Sequence, residues 1–335
     1  MAVSDELEKI NTGLKTKITT LASIILPILL GFGLTYYSYN SFSEMQLAQM
    51  KNYFVSANYN YVLISLFWAV LGYVLRAYRW KYTLMQIGIK PNFKLNFLAV
   101  SVGYFVNLSV PRSGEISRAL ILKKYQKTPF DRVFGTIIAE RIVDFIILIL
   151  FIALALFIEF SKLKNFLLAN IPIQKISVFL TISIILFLAG LYLYFFSKWK
   201  PILWLKTKVE GLKEGAFSIF EMPRKWPFLI YTFLIWFSYI MMFYSSTGTI
   251  AETDNLTIGT ALVAFVIGSL IIAFTNGGFG FFPIIIAKIL FLYGIPLVAG
   301  NAFGWIVWTS QLLITVVLGI LAFLILPIFN KKPKK

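Results

Sequence analysis

The sequence predicts an all-α polytopic membrane protein with six full spans and two broken re-entrant hairpins, arranged as two inverted repeats of span, span, hairpin and span. Three observations carry that expectation. Of 335 residues, 59% are hydrophobic and only 13% charged, and the mean hydropathy of +0.81 lies far above that of a water-soluble domain. The apolar residues fall in runs of bilayer length, about 20 residues for a crossing helix. The net charge is +17, from 31 Lys and Arg against 14 Asp and Glu. These basic residues cluster in short loops between the apolar runs, the positive-inside pattern. There they meet anionic lipid head groups, so nucleic acid is not the expected partner.

Residues 18–38 form the first span and end in an interfacial cluster, Tyr36, Tyr37 and Tyr39. A mixed leader (Asp5, Glu6, Glu8, Lys9) and the lack of an A-x-A site mark it as a retained span. The stretch 40–60 is nearly neutral (Glu44, Lys51) and reads as a loop. Residues 61–78 form span two and lead into Arg76-Ala-Tyr-Arg-Trp-Lys81, whose basic side is expected in the cytoplasm.

Residues 95–111 are apolar but have basic flanks on both sides: Arg76, Arg79, Lys81, Lys90 and Lys94 before, Arg112, Arg118, Lys123, Lys124 and Lys127 after. With both flanks cytoplasmic, the segment enters and leaves on one face. Its break falls at Val110-Pro-Arg-Ser-Gly114, where Pro111 removes a donor and Gly114 relaxes the backbone. Broken backbone at membrane depth is tolerated only when buried in protein or lining a polar cavity. Thr128-Pro-Phe-Asp131 reads as a helix start with a Thr cap and an early Pro. That helix can run to about Phe160, roughly 45 Å, which places Glu140 about 18 Å along it.

Span four covers 173–196. The stretch 197–225 is cytoplasmic by its charges, and Leu205, Val209, Leu212, Ala216 and Phe220 recur in it at helical spacing, predicting an interfacial helix near 204–221. Span five is 227–247, and the acidic loop with Glu252 and Asp254 belongs outside. Residues 258–275 are apolar and break at Thr275-Asn-Gly-Gly-Phe-Gly280, ahead of a short apolar helix and the Gly294-Ile-Pro296 turn. The last span is 300–327, and Lys331-Lys-Pro-Lys-Lys335 returns to the cytoplasm. Both termini are thus expected in the cytoplasm of a prokaryote, the protein being multi-pass in its cytoplasmic (inner) membrane.

Setting Ser113-Gly114 against Gly277-Gly278 places Lys124 opposite Lys288 and the Glu140 helix opposite the last span without a gap. The expected units are residues 1–165 and 166–335. Three spans separate them, so they would sit in opposite orientation, as in transporters whose discontinuous helices meet near the midplane.

Cysteine and histidine are both absent, which excludes disulfides, thiolate nucleophiles, N/S zinc sites and imidazole acid-base catalysis. There is no D-x-D pair, and Gly277-Gly-Phe-Gly280 is not a dinucleotide fingerprint. No catalytic residue, cofactor or metal is expected. Intramembrane ionisable residues cost on the order of 2.5–3.5 kcal/mol each on insertion scales and usually mark function. Glu140, Arg141 and Asp144 share one helix, and the amides after the first break begin another, an anion-attracting arrangement. The candidate head-group site is therefore Arg112, Ser113, Glu115, Arg118, Glu140, Arg141 and Asp144, with Arg141 and a hairpin arginine gripping a phosphate bidentately. Arg118 is within one turn of Glu115. Asn107, Pro111 and Gly114, with Asn276, Gly277, Gly278 and Gly280, form the breaks and the pathway. A buried ion-pair lock and a plain surface turn are the competing structural readings, and glycines that only permit tight packing are the competing reading of the second break.

Arg76-Ala-Tyr-Arg-Trp80, Asn107-Leu-Ser-Val-Pro111, Gly114-Glu-Ile-Ser-Arg118, Glu140-Arg141 with Asp144, and Gly277-Gly-Phe-Gly280 together resemble the lysylphosphatidylglycerol synthase transmembrane-region family over nearly the whole chain. That family resembles the flippase half of the enzyme that makes aminoacylated phosphatidylglycerol and moves it to the outer leaflet. The resemblance implies a lipid flippase or transporter for an anionic or modified phospholipid, or a lipid-linked head group. It leaves as alternatives a membrane-embedded transferase on a lipid-linked substrate, or an accessory subunit. The implied partners are that lipid, the membrane and, in a homo-oligomer, a second copy. The second half departs from the family pattern, which commonly has Pro-Gly-Gly where Asn276-Gly-Gly stands, a Glu soon after where this chain has Pro283, and an arginine where Trp308 stands.

Overall fold

The computed structural model describes residues 25, 29–110, 113–162, 164, 173–204, 206, 222–275 and 277–330. Among these there is helix and no strand. Eleven helices matter below: α1 (29–40), α2 (Glu44–Ser56), α3 (Tyr59–Gln86), α4 (Phe93–Ser109), α5 (Ser113–Gln126), α6 (Phe130–Ile158), α7 (Ile173–Phe196), α8 (Lys225–Ser246), α9 (Ile258–Phe274), α10 (Phe281–Phe291) and α11 (Leu297–Ile325). Helices α3, α6, α8 and α11 are each long and apolar enough to cross a membrane. Helix α1 is the described part of the first expected span, and α7 covers the fourth. The chain is an all-α polytopic membrane protein, and large apolar side chains such as Phe145, Leu150 and Phe157 of α6 lie outward, as lipid contact requires.

Local signals explain the helix ends. Asn92 caps α4 and Thr257 caps α9 through their side chains, and a left-handed Gly88 follows α3. The stretch 40–60 is not a loop. Ser43 and Gln46 form a capping box that starts α2, and α2 packs on α11. Thr128 does not cap α6 either: the N-cap is Pro129, with no side-chain bond, and the buried Thr128 Oγ1 has no partner. Helix α3 runs on to Gln86, so Arg76 and Arg79 lie inside it instead of in a flanking loop.

Both hairpins are present as short helix pairs. At 17 and 14 residues, α4 and α5 are about 26 and 21 Å long, too short to cross. They fold back on each other: Gln126 at the end of α5 donates to the Lys90 carbonyl ahead of α4, while Asn107 and Gly114 meet at the tip. The tip is tight because both crossing residues are glycine. A Cβ on Gly114 would run into the Gly103 carbonyl oxygen and come within 2.7 Å of Asn107 Nδ2. The second hairpin, α9 and α10, turns at Gly277, Gly278 and Gly280, with φ of 67, 80 and 73°, values L side chains rarely adopt.

The first hairpin opens at the N-terminal end of α6, beside Thr128. The second opens at its C-terminal end, where the ideal Cβ of Gly259 would strike the Glu159 carboxylate and Lys162 sits 5.0 Å from the Tyr293 ring. The hairpins therefore enter from opposite ends of a membrane-crossing helix. Their tips approach in the middle, where Leu108 lies 3.7 Å from the Cβ position of Gly277. Packing is crossed: α4 lies against α11, α9 against α6, and α3 runs along α8.

Candidate functional site

Buried positions on α6 are Val133, Thr136, Ile137, Glu140, Val143 and Asp144, an i, i+3, i+4, i+7 stripe that carries both carboxylates to the protein interior. On α3 the matching stripe is Gly72, Arg76, Arg79 and Thr83. The two stripes face each other. Arg76 Nη1 donates to Asp144 Oδ2 at 2.9 Å, and Arg79 donates to Oδ1 at 2.6 Å and to Oδ2 at 3.0 Å. Glu140 takes Arg118 Nη2 from α5 at 3.2 Å and lies 3.8 Å from Arg79. The Arg118 guanidinium stacks 4.0 Å from the Trp80 ring centre, and the indole donates to Thr136. Arg118 therefore pairs with Glu140, not with Glu115 as the one-turn spacing suggests, because the aromatic face draws it across. None of these five charged residues is more than 6% exposed.

Glu115 instead meets Arg141, whose Nε is 2.9 Å from Glu115 Oε1, while Nη1 is 3.9 Å from Asp144. The Nε–H is not aimed at the carboxylate and makes no hydrogen bond, and Glu115 Oε2 has no partner at all. This contact is electrostatic, not directional, and its side chains are more open, 35% for Arg141 and 16% for Glu115. With four arginines against three carboxylates, the ionised assembly carries one surplus positive charge in a region where a charge is expensive.

Glu115 and Arg141 are the charged residues that line a cavity of about 860 Å³. Its walls come from both hairpins and the last span: Tyr104, Asn107 and Leu108 on one side, Thr275, Gly277 and Phe279 on the other, then Trp308, Gln311 and Thr315 of α11. A hydroxyl chain links the cluster to this space. Arg76 Nε donates to Tyr239, and Tyr239 lies 3.0 Å from the Tyr104 hydroxyl. An arginine only donates. Tyr239 thus accepts from Arg76 and shares a hydrogen bond with the Tyr104 hydroxyl, which lines the cavity.

The expected site residues divide accordingly. Glu115 and Arg141 line the cavity, as do Asn107 and Gly277. Arg118, Glu140 and Asp144 sit behind it, closed into ion pairs. The Ser113 hydroxyl is turned back to the carbonyls of Val106 and Val110. Gly114 serves the hairpin crossing, and Gly278 and Gly280 its counterpart, where Gly280 abuts the backbone of Gly31 on α1. Pro111, Arg112 and Asn276 lie outside the described residues, as do most of the helix expected near 204–221 and the tail 331–335. Trp308 takes a definite role: its indole donates to the Gly277 carbonyl at 2.7 Å and stacks on Phe279, holding the uncharged hairpin.

Sequence reasoning did not include Arg76, Arg79 or Tyr239 in the site. The two arginines were counted as a basic flank, although their i, i+3 spacing beside Trp80 was a readable sign of one buried face.

The profile of the lysylphosphatidylglycerol synthase TM region matches residues 24–319. A UPF0104 membrane protein of Methanocaldococcus jannaschii is 33% identical over 100 residues, which is 29% of this chain and 30% of that protein. The chain thus matches less than a third of that relative's length. No solved structure matches.

Proposed function

Because the chain belongs to the lysylphosphatidylglycerol synthase transmembrane-region family, we propose that it is a lipid flippase or transporter. It would move an anionic or modified phospholipid, or a lipid-linked head group, across the cytoplasmic membrane of a prokaryote. One observation carries this reading. The cavity where the hairpin tips approach is apolar over most of its wall, and its charged lining residues are Glu115 and Arg141, the latter beside the buried ion-pair cluster. An amphiphile has that same division, with tails suited to Phe274, Phe279 and Phe281 and a phosphate suited to the planar guanidinium.

In this reading Arg141 and Glu115 contact the head group, Tyr104 donates to it, and Arg76, Arg79, Arg118, Glu140 and Asp144 hold the Arg141 face of α6 in place. The halves 1–165 and 166–335 are inverted repeats, a reading supported by the hairpins opening at opposite ends of α6 and by the reciprocal packing of α4 on α11 and α9 on α6. Both termini are assigned to the cytoplasm.

The test is exchange of labelled anionic phospholipid between leaflets of liposomes containing the purified chain. Arg141→Ala should slow exchange at least about tenfold, the loss of one charge-assisted bidentate contact, with an unchanged unfolding temperature because the side chain is partly open. Equal rates for wild type, Arg141→Ala and Glu140→Gln would sink the proposal.

A further inference from the structure

A second space lies well away from the cavity, at the mouth of the first hairpin. It is an open groove of about 760 Å³ between the turn that joins α3 to α4 and the turn that joins α5 to α6. Thr128 lines it, is only 9% exposed, and leaves its Oγ1 without a partner. A buried hydroxyl that bonds to nothing is rare enough to need an explanation. Gln126 Oε1 on the same wall is also buried and unpartnered.

The groove's surroundings select the ligand's charge. Lys90 and Lys127 line it, and Lys94, Lys123 and Lys124 are exposed nearby in sequence. Helix α6 starts at this groove with no side-chain cap, its first backbone bond running from Val133 to the Pro129 carbonyl. The amides of Phe130, Asp131 and Arg132 are therefore not used within the helix. The carboxylate of Asp131 is the single acidic charge in that first turn. Lys127 is the one described non-glycine residue with positive φ, at 54°, and this conformation seats it on the groove wall.

We propose that this groove binds a phosphate-class anion. Lys90 and Lys127 neutralise it, the Thr128 hydroxyl donates to it, and the open amides at the start of α6 complete its shell. Gln126 Oε1 accepts a hydroxyl of the same ligand. The anion is either the phosphodiester of a lipid in the adjacent leaflet or free phosphate in solution. This site is independent of Arg141 and of the transport proposal.

The full chain is placed in nanodiscs of phosphatidylcholine, and its unfolding temperature is followed as inorganic phosphate is titrated. The titration is repeated with phosphatidylglycerol as the added component in place of phosphate. A saturable rise with phosphate identifies free phosphate as the ligand, and a rise with phosphatidylglycerol alone identifies the lipid. In either case the Lys90→Gln/Lys127→Gly double variant should need about tenfold more ligand for the same rise, and Thr128→Val should weaken the response. Glycine accepts the left-handed backbone at position 127, so this variant keeps the turn. Arg141→Ala should respond to inorganic phosphate as wild type does. No rise with either ligand, or equal rises in wild type and the double variant, overturns the proposal.

Discussion

Replacing Asp144 by asparagine should destabilise the protein far more than so small a change would on a surface. The carboxylate receives three charge-assisted hydrogen bonds from Arg76 and Arg79, which are 5% and 0% exposed. Neutralising it leaves both guanidiniums buried with Glu140 as the nearest remaining anion, itself engaged by Arg118. Removing one partner of a buried pair costs about 3–5 kcal/mol. At about 2–4 °C per kcal/mol, the unfolding temperature should fall by about 6–20 °C. Thermal unfolding of the purified protein in detergent measures this. The double variant Arg79→Met with Asp144→Leu removes one buried cation with the shared anion and should recover part of the loss, the rest persisting because Arg76 keeps only the Tyr239 hydroxyl. Asp144→Asn unfolding with wild type, or losses that simply add in the double variant, would refute the reasoning, because independent sites add and coupled ones do not.

Two further predictions follow from other contacts. Gly114→Ala should open the first hairpin, because its methyl would strike the Gly103 carbonyl and Asn107. Expected are a loss of at least about 1–3 kcal/mol from overpacking and faster hydrogen exchange in α4 and α5. At the other end, the Tyr53 hydroxyl donates to Glu252 at 2.6 Å, and burial, helped by that carboxylate, pushes the phenol up from 10.0 to about 12. A group raised on folding contributes stability below its unfolded value, so this contribution should be complete below about pH 10 and vanish toward pH 12. Comparing alkaline unfolding of wild type and Tyr53→Phe reads it out, and identical curves would contradict it.

The long apolar helices, both breaks and the inward carboxylates of α6 are legible because each follows from hydropathy, glycine placement or helical spacing. The basic partners were less so. Arg76 and Arg79 stand near the end of an apolar run, where the positive-inside pattern explains them equally well. Only the three-dimensional facing of α3 and α6 separates a loop marker from a buried ligand of Asp144. Spacing offers Arg118 both Glu115 one turn away and a lock on the Glu140 helix, and Trp80, distant in sequence, decides between them. Helix α2 is hidden by the neutral composition of 40–60, although Ser43 and Gln46 spell its capping box. Thr128 is the converse, a cap-like residue whose buried hydroxyl bonds none of the amides at the start of α6.

The ion pairs between α3 and α6 also set an order of events during synthesis. Arg79 leaves the ribosome 65 residues before Asp144, an interval of about 3–13 s at ordinary elongation rates. Until Glu140 and Asp144 are made, α3 carries two guanidiniums without the anions that pair with them in the finished fold, and long side chains of this kind hold their charge toward the lipid–water boundary. Burying both guanidiniums without an unpaired-charge penalty therefore requires α6. The carboxylate that stabilises the finished protein thus also makes the depth of a basic helix depend on a segment synthesised after it.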